Sequence, residues 1–386
     1  MPATIIPPVP HYEHAPETKE NLDYAEVPVI DLANVHTSQG HLELAPKVRD
    51  AMRNYGFMCV VNHGLSQAQN DRLIDIANVP FTQVPEEEQR SFVSKIRELG
   101  EWKGYKPRQF WHVDNGVRDQ IDHYAMIRPA FEQHHPKALQ PFLPEIHAFM
   151  KHNHFNVLHP VLRLLALGLE LPEETFVSQH QFEAEGMTFL AQFVSQNGQT
   201  PYLGGDEVGT HQIAPSYPRT EDDEAKTKNV WMKGHTDGGT VSLLWNQPLV
   251  ALQIMCPDGQ WRYVKYIPNS IIVNLGDSME KMCGGYYKAT IHRVFQPPLD
   301  QQGYARLGLF YFGYADDDVR LLPRMESPLL QRVGITRSCE DADAPTQKEW
   351  RVIRTSTYGD SERERKRKDD GTEEEVVNGV VIKHWN

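Results

Sequence analysis

The stretch VWMKGHTDGGTVSLLW, residues 230–245, sets an H-x-D tripeptide just ahead of the short strand expected at Val241 to Trp245. Residues two apart on an extended strand point to one face, so the sequence predicts that His235 and Asp237 converge while Thr236 faces away. A second histidine, His292 in TIHRV, follows 55 positions after Asp237. Two imidazoles and one carboxylate can hold an octahedral iron(II) and leave positions open for dioxygen and a bidentate cosubstrate. An isolated H-x-D among 18 histidines is explained by chance. The distant histidine and Arg306 are what give this one meaning.

Outward from that stretch, short apolar runs alternate with turn signals. Strands are expected at Thr188 to Phe193, Val241 to Trp245, Val250 to Met255, Trp261 to Val264, Ile271 to Asn274, Thr290 to Phe295 and Arg306 to Phe312. The earlier half reads differently. A strand at Val27 to Leu32, a helix at Leu44 to Asn54 and a strand at Phe57 to Val61 are followed by helical spacing at Ser66 to Ala77, Pro85 to Glu98 and Leu143 to Leu169, where Pro160 is expected to introduce a kink. Trp102 to Pro129 is aromatic and charged with little periodicity, and reads as a long loop beside a site, or as a packed surface loop. The expected fold class is α+β, a double-stranded β-helix or jelly-roll core with helices packed on one sheet.

The expected organisation is one globular unit. It comprises an extended arm over 1–25, a mixed α/β and helical region over 26–185, the catalytic core over 186–330, and a C-terminal segment with a charged loop over 331–386. Hydrophobic content of 40% suits one large core. The formal charge of -13 argues against nucleic acid and against an anionic membrane surface, so a small-molecule substrate is expected. The four cysteines, Cys59, Cys256, Cys283 and Cys339, form no C-x-x-C pair, and the N-terminus lacks the pattern of a signal peptide. A cytoplasmic protein with reduced thiols is the expectation. Composition leaves the oligomeric state open.

Arg306 opens the run RLGLFYF, 14 residues beyond His292. A guanidinium on a strand that lines a barrel needs an anionic partner, either a carboxylate ligand or a structural salt bridge.

On these motifs the chain resembles the isopenicillin N synthase-like iron(II)/2-oxoglutarate-dependent dioxygenases, and within them the fungal biosynthetic members. VPVIDL (27–32) and YGFMCVVNHG (55–64) are similar to the family's N-terminal signature, and H-x-D, distant His and Arg follow the order of its catalytic half. The resemblance implies that His235, Asp237 and His292 bind Fe(II). It also implies that Arg306 and Tyr217 hold the distal carboxylate of 2-oxoglutarate, with O2 as the second cosubstrate. Two departures stand out. The family's Arg-x-Ser is here Arg306-Leu307-Gly308, and the polar, Gly-rich stretch Val194 to Ser216 is longer than the usual connection. The tripeptide Asn62-His63-Gly64 reads as a structural turn, not a ligand site.

The implied reaction is oxidation of an unactivated C–H bond of a small molecule, by hydroxylation, desaturation or cyclisation, in secondary metabolism. Candidate substrate residues are Arg108, Phe110, Arg118, His123, Tyr124, Leu244 and Phe310, with Tyr105 and Trp111 as further wall positions. Three rivals share some of these features: a 2-oxoglutarate-independent iron oxidase, a catalytically silent scaffold, and a zinc hydrolase with the same ligands.

Overall fold

The computed structural model describes residues 7–100, 102–127, 133–183, 187–194, 219–337, 339–358, 366–367, 372–377 and 380–385. Its centre is an eight-stranded sheet in the order β1 (Val29–Asp31), β2 (Phe57–Val61), β12 (Ile271–Leu275), β9 (Val241–Trp245), β14 (Arg306–Gly313), β7 (Met187–Val194), β6 (Ile121–Ile127) and β3 (Gly104–Lys106). The β1–β2 pair is parallel and the other pairs are antiparallel. A second sheet runs β11 (Trp261–Tyr263), β10 (Leu252–Met255), β13 (His292–Phe295), β8 (Val230–His235), β17 (Val380–Trp385), β16 (Thr372–Val377) and β15 (Lys366–Arg367). A small ribbon pairs β4 (His112–Asp114) with β5 (Val117–Arg118).

Side-chain alternation explains the layering. Met58 and Val60, Leu243 and Trp245, Ile271 and Val273, and Leu307, Leu309 and Tyr311 face a helical layer. Their neighbours Phe57, Cys59, Leu244, Ile272 and Phe310 face the second sheet, where they meet Leu252, Ile254 and Val264. A sheet covered on both faces calls for near-continuous apolar runs, as in FMCVV and, apart from Ser242, VSLLW.

The helical layer holds α1 (Ser38–Asn54), α2 (Gln67–Thr82), α5 (Leu143–His152) and α6 (His159–Gly168), with the short α3 (Glu86–Arg90), α4 (Ile96–Leu99) and α7 (Glu174–Val177) around it. Thr37 caps α1, and Ser66 with Gln69 forms a capping box on α2. Between α1 and β2 the chain turns at Gly56, with φ of +64°; a Cβ there would meet the Lys288 carbonyl oxygen at 2.4 Å. Only glycine permits both that conformation and that approach. The remaining helices are α8 (Glu221–Thr227), α9 (Asp277–Met282), α10 (Pro328–Arg332) and α11 (Gln347–Thr357). No helix among the described residues is long and apolar enough to cross a membrane.

Two expectations need correction. Residues 102–129 are not a structureless loop, because β3, β4, β5 and the seven-residue β6 lie within them. Their periodicity is masked by charged side chains held inside in pairs: buried Lys106 with buried Asp119, and buried Arg108 with half-buried Asp122 at 2.6 Å. The helix expected over 143–169 is interrupted by a π-helical turn, Asn153–Leu158. The wider turn accommodates Pro160, whose ring would otherwise press on the carbonyl of residue 156.

The N-terminal arm lies along the sheets. Tyr12 Oη donates to the Ala305 carbonyl at 2.6 Å and accepts from the Leu307 amide at 3.2 Å, bracketing Arg306. Further along the arm, the Lys19 amide donates to Asp300 and the Ala25 amide to the Tyr263 carbonyl.

Candidate active site

His235 is the last residue of β8 and His292 the first of β13; the two strands pair at these residues. Asp237 lies two residues past the end of β8, in the turn that leads to β9, rather than on the strand itself. The carboxylate therefore reaches the histidines by a turn of the chain, not by strand alternation. One ligand atom from each of the three residues fits within 4.8 Å of the others.

Each imidazole is fixed in one tautomer. His235 Nδ1–H donates to the Lys233 carbonyl at 2.8 Å and His292 Nδ1–H to the Thr290 carbonyl at 3.1 Å. A carbonyl can only accept, so both Nε2 lone pairs are left for a metal. Asp237 is equally asymmetric. Its Oδ2 accepts from Ser242 Oγ at 2.5 Å and from Asn274 Nδ2 at 2.8 Å, while Oδ1 lies 3.8 Å from His235 Nε2 and 3.6 Å from His292 Nε2. Phe57 packs edge-on against His292 and Tyr358 against His235.

Burial pushes the His235 imidazole down to about 3, with its neighbour His292 acting in the same direction. Burial works against ionised Asp237, but the two histidines and the donated hydrogen bonds outweigh it and hold the carboxyl below its usual range. Burial likewise opposes a charged His292, and the Asp237 carboxylate raises its pKa in spite of it. The donor set, two nitrogen lone pairs and one ionised oxygen, fits a divalent transition metal.

The ligand loop is clamped from two sides. Gly276 lets the β12–α9 junction approach it: a Cβ there would stand 2.4 Å from the Gly239 carbonyl oxygen and 2.6 Å from that of Asp237. From this junction the Asp277 amide donates to the Asp237 carbonyl at 2.7 Å and Ser278 Oγ to the Gly238 carbonyl at 2.8 Å. On the other side Arg354 of α11 donates to the Thr236 carbonyl at 2.7 Å and pairs with Asp277 at 2.9 Å.

A cavity of roughly 1010 Å³, including its mouth, contains all three residues. Arg306, Leu244, Leu252 and Phe310 line it together with Phe57, so the buried guanidinium shares a cavity with the candidate ligands. Burial pushes Arg306 down to about 10, which leaves it cationic at neutral pH. Position 308 is glycine for a visible reason. A Cβ there would stand 2.7 Å from Cε2 of Phe310, so the phenylalanine ring takes the space that a serine would need.

Of the predicted substrate residues, His123, Leu244 and Phe310 line the cavity, as does Trp111. Arg108, Phe110, Arg118 and Tyr124 do not. Arg108 is paired with Asp122, Phe110 lies under Arg97, Arg118 donates to the Gln109 carbonyl, and Tyr124 is buried against Tyr105 and bonded to His135. Tyr105 is likewise turned away, donating to the Pro80 carbonyl. Tyr217 lies outside the described residues, as does nearly all of the 194–216 stretch. His63 is structural, bonded to the Asn269 carbonyl and packed on Trp245.

The sequence reading missed the wall contributed by α11. Arg351, Arg354, Thr355 and Tyr358 all line the cavity, at the i, i+3, i+4, i+7 spacing of one helical face, and Thr355 Oγ1 accepts from Trp102 Nε1 at 3.1 Å. That spacing was visible in the sequence, but nothing local says that the face meets H-x-D. Ser242 and Asn274, which hold Asp237, sit at inward positions of predicted strands and could have been found by alternation.

Comparison with known proteins agrees with this geometry. Residues 27–145 match the family described as non-haem dioxygenase in morphine synthesis N-terminal, and residues 208–312 match the 2OG-Fe(II) oxygenase superfamily. Similar proteins include a 1-aminocyclopropane-1-carboxylate oxidase of Dictyostelium mucoroides, 23% identical over 325 residues (79% of this chain, 85% of the relative). Another is the 2-oxoglutarate-Fe(II) type oxidoreductase hxnY of Emericella nidulans, 24% identical over 319 residues (77% and 82%). The fold is shared with a full-length Neurospora crassa protein crystallised in complex with alpha-KG: TM-score 0.69, 18% identity, covering 88% of this chain and 100% of that one. The chain belongs to the 2OG-Fe(II) oxygenase superfamily. It is a non-haem iron(II) dioxygenase whose cofactor is Fe(II) and whose cosubstrates are 2-oxoglutarate and O2.

Proposed function

We propose that this dioxygenase oxidises an unactivated C–H bond of a small molecule, by hydroxylation, desaturation or cyclisation, in secondary metabolism. Fe(II) is held by His235 Nε2, Asp237 Oδ1 and His292 Nε2, and the distal carboxylate of 2-oxoglutarate by Arg306. The observation that carries this reading is the placement of a buried guanidinium and a three-donor cluster on one cavity. The two facing sheets, with helices on the outer face of one, are read as the double-stranded β-helix of the family. The arm, helical region, core and C-terminal segment then form a single catalytic unit.

When bound, iron and 2-oxoglutarate supply activation of dioxygen and the electrons released as the cosubstrate is decarboxylated. The protein's part is placement. Ser242 and Asn274 keep Asp237 in one orientation, and the Lys233 and Thr290 carbonyls keep each imidazole facing the metal. Arg306 meets a carboxylate with a planar fork, in a buried site where the pair is weakly screened. Phe57, Leu244, Leu252 and Phe310 exclude water around it.

The test is anaerobic addition of Fe(II) and then 2-oxoglutarate. A metal-to-ligand charge-transfer band is expected for the native chain and not for Asp237→Ala. Its absence from the native chain, with no oxygen-dependent formation of succinate, would sink the proposal.

A further inference from the structure

We infer that the substrate is a neutral, planar, conjugated ring system bearing a hydrogen-bond acceptor, a carbonyl oxygen or ring nitrogen, recognised by Trp111 and Arg351. This rests on the catalytic reading above and narrows the substrate of the same cavity.

Rings wall much of the cavity. Tyr358 lies 5.4 Å from the ring of His235, Trp111 4.8 Å from Tyr358, and Trp102 5.3 Å from Trp111. His123 adjoins both tryptophans, and Phe310 and Phe312 stack at 14° on β14. A chain of neighbouring rings thus runs on from His235, and such rings favour flat π-systems that can offset-stack or meet them edge to face. A flexible aliphatic chain would gain burial there but none of the ring-to-ring geometry.

Charge argues for a neutral ligand. Besides Arg306, two arginines line the cavity, but Arg351 is paired with Asp317 at 2.8 and 3.0 Å, and Arg354 with Asp277 at 2.9 Å. Their charges are already compensated, so neither offers a free cation to a substrate carboxylate. Hydrogen bonding argues for an acceptor. Trp111 Nε1–H and Arg351 Nε–H are buried and have no partner among the described residues, and both side chains line the cavity. A buried donor without an acceptor is unfavourable, and both side chains line the cavity that a ligand would fill. The indole itself cannot turn away easily. Lys106 Nζ sits 4.1 Å from its ring centroid, and its backbone amide is bonded to Asp119.

The experiment uses the full chain with Mn(II) and 2-oxoglutarate under argon, and reads binding of three probes by saturation-transfer NMR titration. Coumarin has the ring and the acceptor, naphthalene the ring alone, and octanoate neither ring nor neutrality. Coumarin is expected to bind most tightly and octanoate about tenfold or more weakly. Trp111→Phe, which keeps a ring and deletes the N–H, is expected to weaken coumarin about tenfold while leaving naphthalene unchanged. Octanoate binding as well as coumarin, or Trp111→Phe affecting both bicycles alike or neither, would overturn the inference. The order of the three probes on the native chain decides the matter even if the variant fails to fold. Calorimetry of Mn(II) and 2-oxoglutarate on the same sample reports the catalytic reading separately, so failure of either is recognisable.

Discussion

Arg354 Nη2 donates to the Thr236 carbonyl oxygen at 2.7 Å, which ties helix α11 to the residue between two candidate ligands. The same guanidinium holds Asp277, whose amide is bonded to the Asp237 carbonyl. Arg354→Ala removes the link on both sides at once. The expected outcome is a ten- to hundredfold loss of Mn(II) affinity, by analogy with other supports of metal ligands. Anaerobic calorimetry checks it, and Arg354→Lys, with a point charge in place of a fork, should recover only part of the loss.

Ser242 and Asn274 both bind the same oxygen of Asp237. Ser242→Ala or Asn274→Ala should each weaken metal binding by roughly tenfold, and the double variant by more than the product, because in each single variant the surviving donor still fixes the carboxylate. The measurement is the Mn(II) dissociation constant of the four proteins, with thermal unfolding to show that the fold persists. Full additivity would mean that the two donors hold Asp237 independently.

Tyr12 grips the backbone on both sides of Arg306 although it lies nearly 300 residues away in sequence. Tyr12→Phe removes both hydrogen bonds without changing the ring. With each worth about 1 kcal/mol, the KM for 2-oxoglutarate should rise by up to about thirtyfold while kcat is largely kept. Steady-state kinetics on varied cosubstrate reads the split; a fall in kcat with unchanged KM would contradict it.

At position 308 the prediction concerns space. Gly308→Ser should destabilise the protein by about 1–3 kcal/mol through collision with Phe310. Phe310→Leu should relieve much of it, giving a double variant less damaged than the sum of the singles. Urea unfolding of the four proteins closes the cycle.

Acid should destabilise the protein through His123, which burial holds well below its ordinary pKa. The folded protein keeps this imidazole neutral, whereas the unfolded chain takes up a proton below about pH 6.5. Its contribution is therefore complete above that pH and is lost progressively as pH falls towards the folded value. The slope is up to about 1.4 kcal/mol per pH unit. Comparing urea unfolding of the native protein and His123→Phe between pH 7.5 and about 5.5 isolates this slope, which should be shallower in the variant.

Val241–Trp245 and Phe57–Val61 were legible to the residue because a strand buried on both faces is apolar at nearly every position, Ser242 being the exception that serves the site. The convergence of His235, Asp237 and His292 was legible from residue type and order, though Asp237 reaches the cluster from a turn. β6 was hidden because Asp122 and His123 break its apolar pattern, and only the tertiary structure supplies their neighbours, Arg108 for Asp122 and Trp111 for His123. The face of α11 was hidden for a different reason. Its period can be read locally, but its neighbour lies more than a hundred residues upstream.

The one-sided grip on Asp237 also bears on which cation the cluster can retain. With Oδ2 engaged by two protein donors, the carboxylate has one oxygen to give, and the two imidazoles add nitrogen only. A calcium ion, which seeks six to eight oxygens and often a bidentate carboxylate, finds a single one here. Among abundant cellular divalent ions, selection against the hard, oxygen-loving ones is therefore set by how a serine and an asparagine orient one side chain.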